Sequence, residues 1–301
     1  MSQQYHIPVL FHESLDALQI RPDGCYVDLT FGGGGHSRGI LERLGPSGKL
    51  VAFDQDADAR ENLPDDSRIT FVPHNFRHLS RFLKLYDLLP VDGVLADLGV
   101  SSHQFDVGER GFSTRSNGPL DMRMNQKQEL SAVNILAEYP EARLHKMFEQ
   151  LGQVTNSKTV ARLIVEHRKS SALKTIDDLK TLLQPVVKGN PKKYFAQVFQ
   201  AIRMEVNDET GALKEMLQQL PDVLKPGGRA AIITFHSGED RIVKTYFKNA
   251  MVEETPENPF SNINIKNELK VITKKPVTPS QEEIKRNPRS GSAKLRVAEK
   301  V

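Results

Sequence analysis

The sequence predicts an α/β fold: a parallel, doubly wound sheet interrupted by an all-helical insertion. Three observations carry this expectation. Between residues 24 and 100, short apolar β-favouring runs alternate with helix-length segments. The alternation stops near residue 105, and it resumes only after Pro226-Gly227-Gly228. Strands separated by helices of this length join through right-handed crossovers onto a parallel sheet.

Each element follows in order. Residues 26–30 form a β-favouring run ending in Phe31-Gly32-Gly33-Gly34-Gly35, and a helix is expected over 37–44, closed by Gly45-Pro46. Residues 49–53 give a second buried-strand pattern closed by Asp54. Residues 69–72 give a third, and 93–96 with Asp97 a fourth. From 105 to 200 no strand pattern stands out. A polar, glycine-rich loop at 108–118 leads into helical periodicity near 131–138, 141–151, 157–169 and 175–187. Strand character returns at 229–235 after Lys225-Pro226-Gly227-Gly228. An amphipathic helix is expected at 239–250, with Ser237 and Asp240 as a capping box. Residues 251–268 read as a polar loop, and 269–273 with 293–298 as a closing antiparallel pair. The expected domains are therefore a sheet domain in two parts, 1–104 and 201–301, around a helical insertion at 105–200.

Composition narrows the function classes. The 301 residues are 38% hydrophobic and 26% charged, the balance of a soluble globular chain. No apolar run approaches the ~18 residues a spanning helix needs. Polar residues begin at Ser2 and the apolar stretch at 7–11 breaks at His12, so no secretory signal is read and a cytoplasmic protein is expected. A single cysteine, Cys25, excludes an internal disulfide framework and a cysteine-based metal site. Net charge is only +3, but it is uneven: 15 Lys/Arg stand against 10 Asp/Glu over 105–200, and 8 against 3 over 274–301. That distribution suits a near-neutral body with two basic surfaces for a polyanion.

The first strand turn carries the cofactor reading. In doubly wound sheets ligands bind at the carboxyl ends of the strands, where strand order reverses. Asp28-Leu29-Thr30-Phe31-Gly32-Gly33-Gly34-Gly35-His36 occupies that place. Its glycines allow close backbone approach, and the following helix N-terminus offers free N–H groups. The dinucleotide fingerprint G-x-G-x-x-G fails, because its last position falls on Ser37 or Arg38. Such a turn suits a cofactor with a charged amino-acid tail. Asp54, 19 residues after Gly35, can accept both hydroxyls of an adenosine ribose. Nicotinamide dinucleotides and S-adenosylmethionine share that contact, so Asp54 does not separate a dehydrogenase from a methyltransferase. Lys225-Pro226-Gly227-Gly228 looks like the turn before the fifth strand of class I methyltransferases, and Phe76 could line an adenine pocket.

Four stretches match one family together: His6-Ile7-Pro8-Val9-Leu10, Asp28 through His36, Asp97-Leu98-Gly99-Val100-Ser101-Ser102 with Gln104, and Phe235-His236-Ser237 with Glu239-Asp240-Arg241. Glu109-Arg110-Gly111-Phe112-Ser113, Gly118 through Met124, and Asn287-Pro288-Arg289 with Ser292 through Arg296 fill the intervals. This set resembles the bacterial ribosomal RNA small-subunit methyltransferase H family, formerly called MraW, over nearly the whole chain. The resemblance implies a Rossmann-like class I S-adenosylmethionine-dependent sheet with a helical insertion after the fourth strand. It implies methylation of the exocyclic N4 of one cytidine in the decoding region of 16S rRNA, within the 30S subunit or a late precursor. Cofactor contacts carry over to Gly34, Gly35, His36, Asp54, Phe76, Asp97 and Gln104. The chain departs from the family pattern at residues 152–160 and 193–197, both inside the insertion.

Methyl transfer from a sulfonium is an in-line displacement that chiefly needs orientation. Cytosine N4 is a poor nucleophile because its lone pair is conjugated with the ring, so acceptors on its hydrogens favour attack. Ser101, Ser102 and a backbone carbonyl are the candidates for that task, and His236 is a candidate for contact with the target base or its phosphate. Arg162, Lys192, Lys193, Arg241 and Arg289 are candidates for gripping substrate RNA, and Arg168, Lys169, Lys274, Lys275 and Arg286 join them on charge alone. The nine histidines show no metal-ligand spacing, so no metal is expected. Two other classes stay open: a nicotinamide-dependent oxidoreductase, and a non-catalytic RNA-binding assembly factor.

Overall fold

The computed structural model describes residues 8–252 and 267–301. His6 and Ile7 of the first motif lie outside the described residues, as does most of the polar loop expected at 251–268. The chain divides into two compact units, one running to Gly99 and resuming at Thr210, the other Val100–Glu209. The expected boundaries fell at 104/105 and 200/201.

The first unit is a seven-stranded sheet in the order β3-β2-β1-β4-β5-β7-β6. Its strands are β1 (Cys25–Asp28), β2 (Lys49–Phe53), β3 (Ile69–Val72), β4 (Val91–Asp97), β5 (Leu224–Thr234), β6 (Leu269–Val271) and β7 (Lys294–Lys300). β1 to β5 run parallel, while β7 is antiparallel to both β5 and β6. Order reverses between β1 and β4, where a ligand crevice belongs.

Alternation along each strand sorts the core onto two faces. Val27, Val51, Phe53, Val94, Ala96, Ala230 and Ile232 pack with Leu79 and Leu83 of α3 (Leu79–Leu85), with α10 (Glu209–Val223) and with α11 (Ser237–Asn249). Tyr26, Leu50, Leu95, Ala231 and Ile233 face the other way, onto α1 (Phe11–Leu18) and α2 (Gly35–Arg43). The strands are short and apolar on both sides because helices cover both.

Two expectations change in detail. Lys225-Pro226-Gly227-Gly228 does not precede the fifth strand. It lies inside β5 as an irregularity opposite Val91 and Gly93, with Gly227 at φ 78° and the Lys225 ammonium 2.8 Å from Asp92. The Ser237/Asp240 capping box is also not formed. His236 is the N-cap of α11, its Nδ1 accepting the Glu239 N–H, and Glu239 returns a carboxylate oxygen to the Phe235 N–H at 3.0 Å.

Asp240 has a different task. It is buried and accepts from Arg296 on β7 at 2.6 and 3.2 Å, with Lys294 at 3.3 Å. The pair fastens α11 to the last strand.

The second unit carries helices and no strand among its described residues, with an irregular loop between the first two helices: α4 (Ser102–Asp106), α5 (Ala132–Glu138), α6 (Glu141–Gln150), α7 (Ser157–His167), α8 (Ile176–Leu183) and α9 (Pro191–Val206). Leu120, Ile135, Leu144, Phe148, Ile164, Ile176, Val198 and Ile202 form its core.

Replacing Arg296 by Met strands the Asp240 carboxylate with Lys294 alone. Urea unfolding should show a loss of about 3 kcal/mol, recovered largely by adding Asp240→Leu. A loss near zero would mean the pair does not hold α11 in place.

Candidate active site

The glycine turn is built by its neighbours as much as by its own sequence. Phe31 N–H donates to Phe53 O at 2.9 Å, which carries the chain from β1 across the end of β2. Asp54, next after β2, accepts the Gly32 N–H at 2.7 Å on one oxygen and the Asp56 N–H at 2.9 Å on the other. Asn62 donates to Gly32 O at 3.0 Å, and the Arg38 guanidinium donates to Gly33 O and to Asn62 O.

Gly34 then takes the left-handed N-cap position of α2 at φ 72°, where a Cβ would press on the Phe31 ring at 2.8 Å. No side chain caps α2, so its first N–H groups have none of the usual partners. At Gly33 a Cβ would meet nothing within 4 Å, so that side of the turn is open space.

Behind the turn lies a row of acids. Asp28, buried at the end of β1, accepts from Ser37 Oγ at 2.7 Å and from the Thr30 N–H at 3.1 Å. Thr30 Oγ1 in turn accepts the Asp97 N–H at 2.7 Å, which fixes the end of β4 against β1. Burial raises the pKa of Asp28, and it pushes Asp54 up to about 6 against the pull of its two backbone donors.

Asp97 is the most perturbed of them. Its Oδ1 is enclosed without a hydrogen-bond partner, and its Oδ2 lies 3.8 Å from His36 Nδ1. Enclosure, then the charges of Asp28, Glu239 and Glu283, push its carboxyl up to about 8. Burial holds His36 down at about 4, so the ring is neutral. With His36 Nε2 set against Val9 O at 3.2 Å, its proton sits there, and Nδ1 turns a lone pair toward Asp97. Two acceptors therefore face each other until a proton or a bound cation comes between them.

The expected residues fall into two groups. Gly34, Gly35, His36, Asp54, Asp97 and His236 gather at the carboxyl ends of β1, β2, β4 and β5, and Phe76 lies half-buried just beyond β3. Ser101, Ser102 and Gln104 belong to the second unit. There Ser101 Oγ accepts the Gln104 N–H and Gln104 Oε1 accepts the Ser101 N–H, a reciprocal cap on α4. His236 Nε2 is buried, 3.2 Å from Glu239 Oε1 but not hydrogen-bonded to it.

Of the basic candidates, Lys192 and Lys193 are exposed in the first turn of α9. Arg162 is exposed on α7 and lies 3.9 Å from Glu166, and Arg289 is exposed beyond α12 (Gln281–Arg286). Arg168 is a structural tie, donating to the carbonyls of Leu136 and Tyr139 at 3.1 and 2.8 Å.

Sequence reasoning missed Thr30, Ser37, Asn62 and Glu283. Thr30 and Ser37 flank the glycine run and were within reach. Glu283, which accepts the Leu10 N–H at 2.9 Å from 273 residues away, carried no local signal.

Among the described residues, no group of three or more His, Cys, Asp or Glu could hold a metal ion, and no helix is long and apolar enough to cross a membrane.

The chain matches the MraW methylase family over residues 3–301. It is 52% identical over 301 residues to the ribosomal RNA small subunit methyltransferase H of Flavobacterium johnsoniae, covering 100% of this chain and 99% of that protein. To the protein of the same name from Christiangramia forsetii it is 52% identical over 300 residues, covering 99% and 98%. To that from Parabacteroides distasonis it is 50% identical over 299 residues, again covering 99% and 98%. With a match over nearly its full length and relatives at half identity, the chain belongs to the MraW methylase family.

Proposed function

We propose that this chain is an S-adenosylmethionine-dependent rRNA methyltransferase, and that its target is the exocyclic N4 of one cytidine in the decoding region of 16S rRNA. Its substrate is the 30S subunit or a late precursor, met in the cytoplasm. The observation that carries the reading is the pairing of an uncapped helix N-terminus with a cation-starved acidic row at one sheet edge. The α2 N-terminus favours an anion such as an amino-acid carboxylate. Asp97, with Asp28 and Glu239 around it, favours a cation. A sulfonium nucleoside with an amino-acid tail offers both charges, and the names of the 50–52% identical relatives support the RNA class.

The residues present fit that group. The orphaned Asp97 Oδ1 and the empty side of Gly33 are a polar atom and a space awaiting a ligand. Gly34, Gly35 and His36 would hold its tail, Asp54 the ribose through the second lone pair on each oxygen, and Phe76 the adenine edge. Gln104 completes the set on the strength of the family pattern alone. When bound, the cofactor supplies an electrophilic methyl group.

Ser101, Ser102 and His236 remain the candidates for the target base. Ser101 Oγ already accepts one backbone N–H, so Ser102 is the stronger hydroxyl acceptor for the amine, while His236 serves the base or its phosphate as a donor. His236 carries its proton on Nε2, because Nδ1 is taken by the Glu239 N–H. That ring can donate to the base O2 or N3, or to a phosphate. Attack leaves N4 cationic and acidic, so its proton can pass to water without a dedicated base.

Incubating the protein with methyl-labelled S-adenosylmethionine and 30S subunits lacking the modification should place label on one cytidine. Absence of label with intact cofactor binding would favour an assembly factor instead. Binding of nicotinamide dinucleotide but not S-adenosylmethionine would favour an oxidoreductase.

Cofactor affinity should depend on pH through Asp97. Below about 8 its carboxyl is protonated in the free protein and must shed that proton to meet a cation. Calorimetry should therefore show tighter binding as pH rises from about 6 to about 8, with at most tenfold gained per unit, and a plateau above. The sign for free-protein stability is opposite. A carboxyl whose folded pKa is raised binds more protons folded than unfolded, so stability falls as pH rises from the ordinary carboxylate range through about 8. Asp97→Asn should weaken binding and flatten both profiles; a variant with the wild-type slopes would remove Asp97 from this role.

Gly33→Val should leave the melting temperature close to that of the wild type, since no protein atom lies where its Cβ would go. It should weaken S-adenosylmethionine binding at least tenfold, about 1.4 kcal/mol. Unchanged binding would put the ligand elsewhere.

A further inference from the structure

The charges of α11 are sorted by depth. Its two acids, Glu239 and Asp240, are buried at 4% and 8% exposure. Glu239 turns inward to the Phe235 N–H, and Asp240 is matched by Arg296 and Lys294. Every charged residue on its exposed positions is basic: Arg241, Lys244 and Lys248. Their spacing of three and four residues places them on one face, spanning about 10 Å of helix axis.

None of the three makes an ion pair with a described residue. Other exposed cations do: Arg43 with Asp16, Arg143 with Glu205 and Arg162 with Glu166. The face also lacks the large apolar side chains that a membrane surface or a hydrophobic protein partner would require. Leu85, Tyr86, Ile272 and Val301, the exposed large hydrophobics among the described residues, all lie off this helix.

The helix starts directly after His236, at the carboxyl end of β5. The stripe therefore begins one turn from the sheet edge that carries the site and leads away from it.

We propose that this face of α11 is a docking track for the sugar-phosphate backbone of the RNA strand whose base enters the site, with Arg241, Lys244 and Lys248 as its phosphate contacts. The inference rests on the RNA reading given above and deepens it, because it assigns backbone grip to the sheet unit itself. Contacts of this kind fix register and add affinity without reading sequence. They are also salt-sensitive, because each neutralised phosphate releases condensed counterions.

The test is binding of a short, fluorescently labelled single-stranded RNA by the full chain over a series of salt concentrations. In the triple variant Arg241→Gln, Lys244→Gln, Lys248→Gln, the slope of log K against log salt should become shallower by about 2, at ~0.7 per lost contact. Its melting temperature and S-adenosylmethionine affinity should stay at wild-type values, which shows that the fold and cofactor site are intact. The pair Lys49→Gln, Lys84→Gln removes exposed cations elsewhere on the same unit and should leave the slope unchanged.

A triple variant that binds RNA with the wild-type slope, while the wild type binds and methylates normally, overturns the track and leaves the methyltransferase reading standing. So does an equal flattening per charge in the control pair, since the effect would then be diffuse charge. A wild type that neither binds nor methylates RNA overturns both.

Discussion

The carboxyl edge of the sheet concentrates more negative charge than it neutralises, and the arrangement around it follows from that imbalance. Asp28 is the fixed point. Fully enclosed, it is tolerable only because Ser37 and the Thr30 backbone donate to it, and Thr30 then passes the constraint on to the backbone of Asp97. A short chain of hydrogen bonds thus sets β1, the glycine turn and the end of β4 relative to one another. Asp97 inherits the electrostatic consequence, held near two further acids and opposite the lone pair of a neutral histidine. The α2 N-terminus lies on the same edge with the opposite polarity. Two poles set apart by a rigid turn select a ligand by the order of its charges as well as by its shape.

Much of this was legible in the sequence, because the strands of a doubly wound sheet are short, apolar and punctuated. The second and third strands fall where the pattern places them, and the closing antiparallel pair is present, with β6 ending early and β7 running on to Lys300. Helices were read unevenly. α1 has Leu10 as its N-cap, in a left-handed conformation with no capping side chain, so the usual start signal is missing. α9 carries a start signal in Asn190 followed by Pro191, but its first turn is polar and basic, so no apolar period marks the helix there.

The site was legible to the extent that its residues are local to strand ends. Asp54 and Asp97 close strands and could be placed without a structure. What their carboxylates do could not. The clasp of Asp54 on the Gly32 N–H links positions 22 residues apart, and the pressure on Asp97 comes partly from Glu283 in the last thirty residues of the chain. Ser101 and Gln104 show a second limit: within their own unit they form a reciprocal helix cap, a task that their spacing alone does not separate from chemistry. His236 is both, since the nitrogen that caps α11 also decides where the imidazole proton resides.

The strand order bears on how this protein is made. β5 lies between β4 and β7, and β7 follows β5 in the chain only after α11, β6 and α12. While the nascent polypeptide is still emerging, β5 has a neighbour on one side only. Its other edge, with Ala231 and Ile233 on it, stays bare until β7 is made. Asp240 waits over the same interval for Arg296. A chain interrupted before β7 therefore lacks the strand that covers β5 and keeps an adhesive edge, so such products are natural substrates for aggregation or proteolysis.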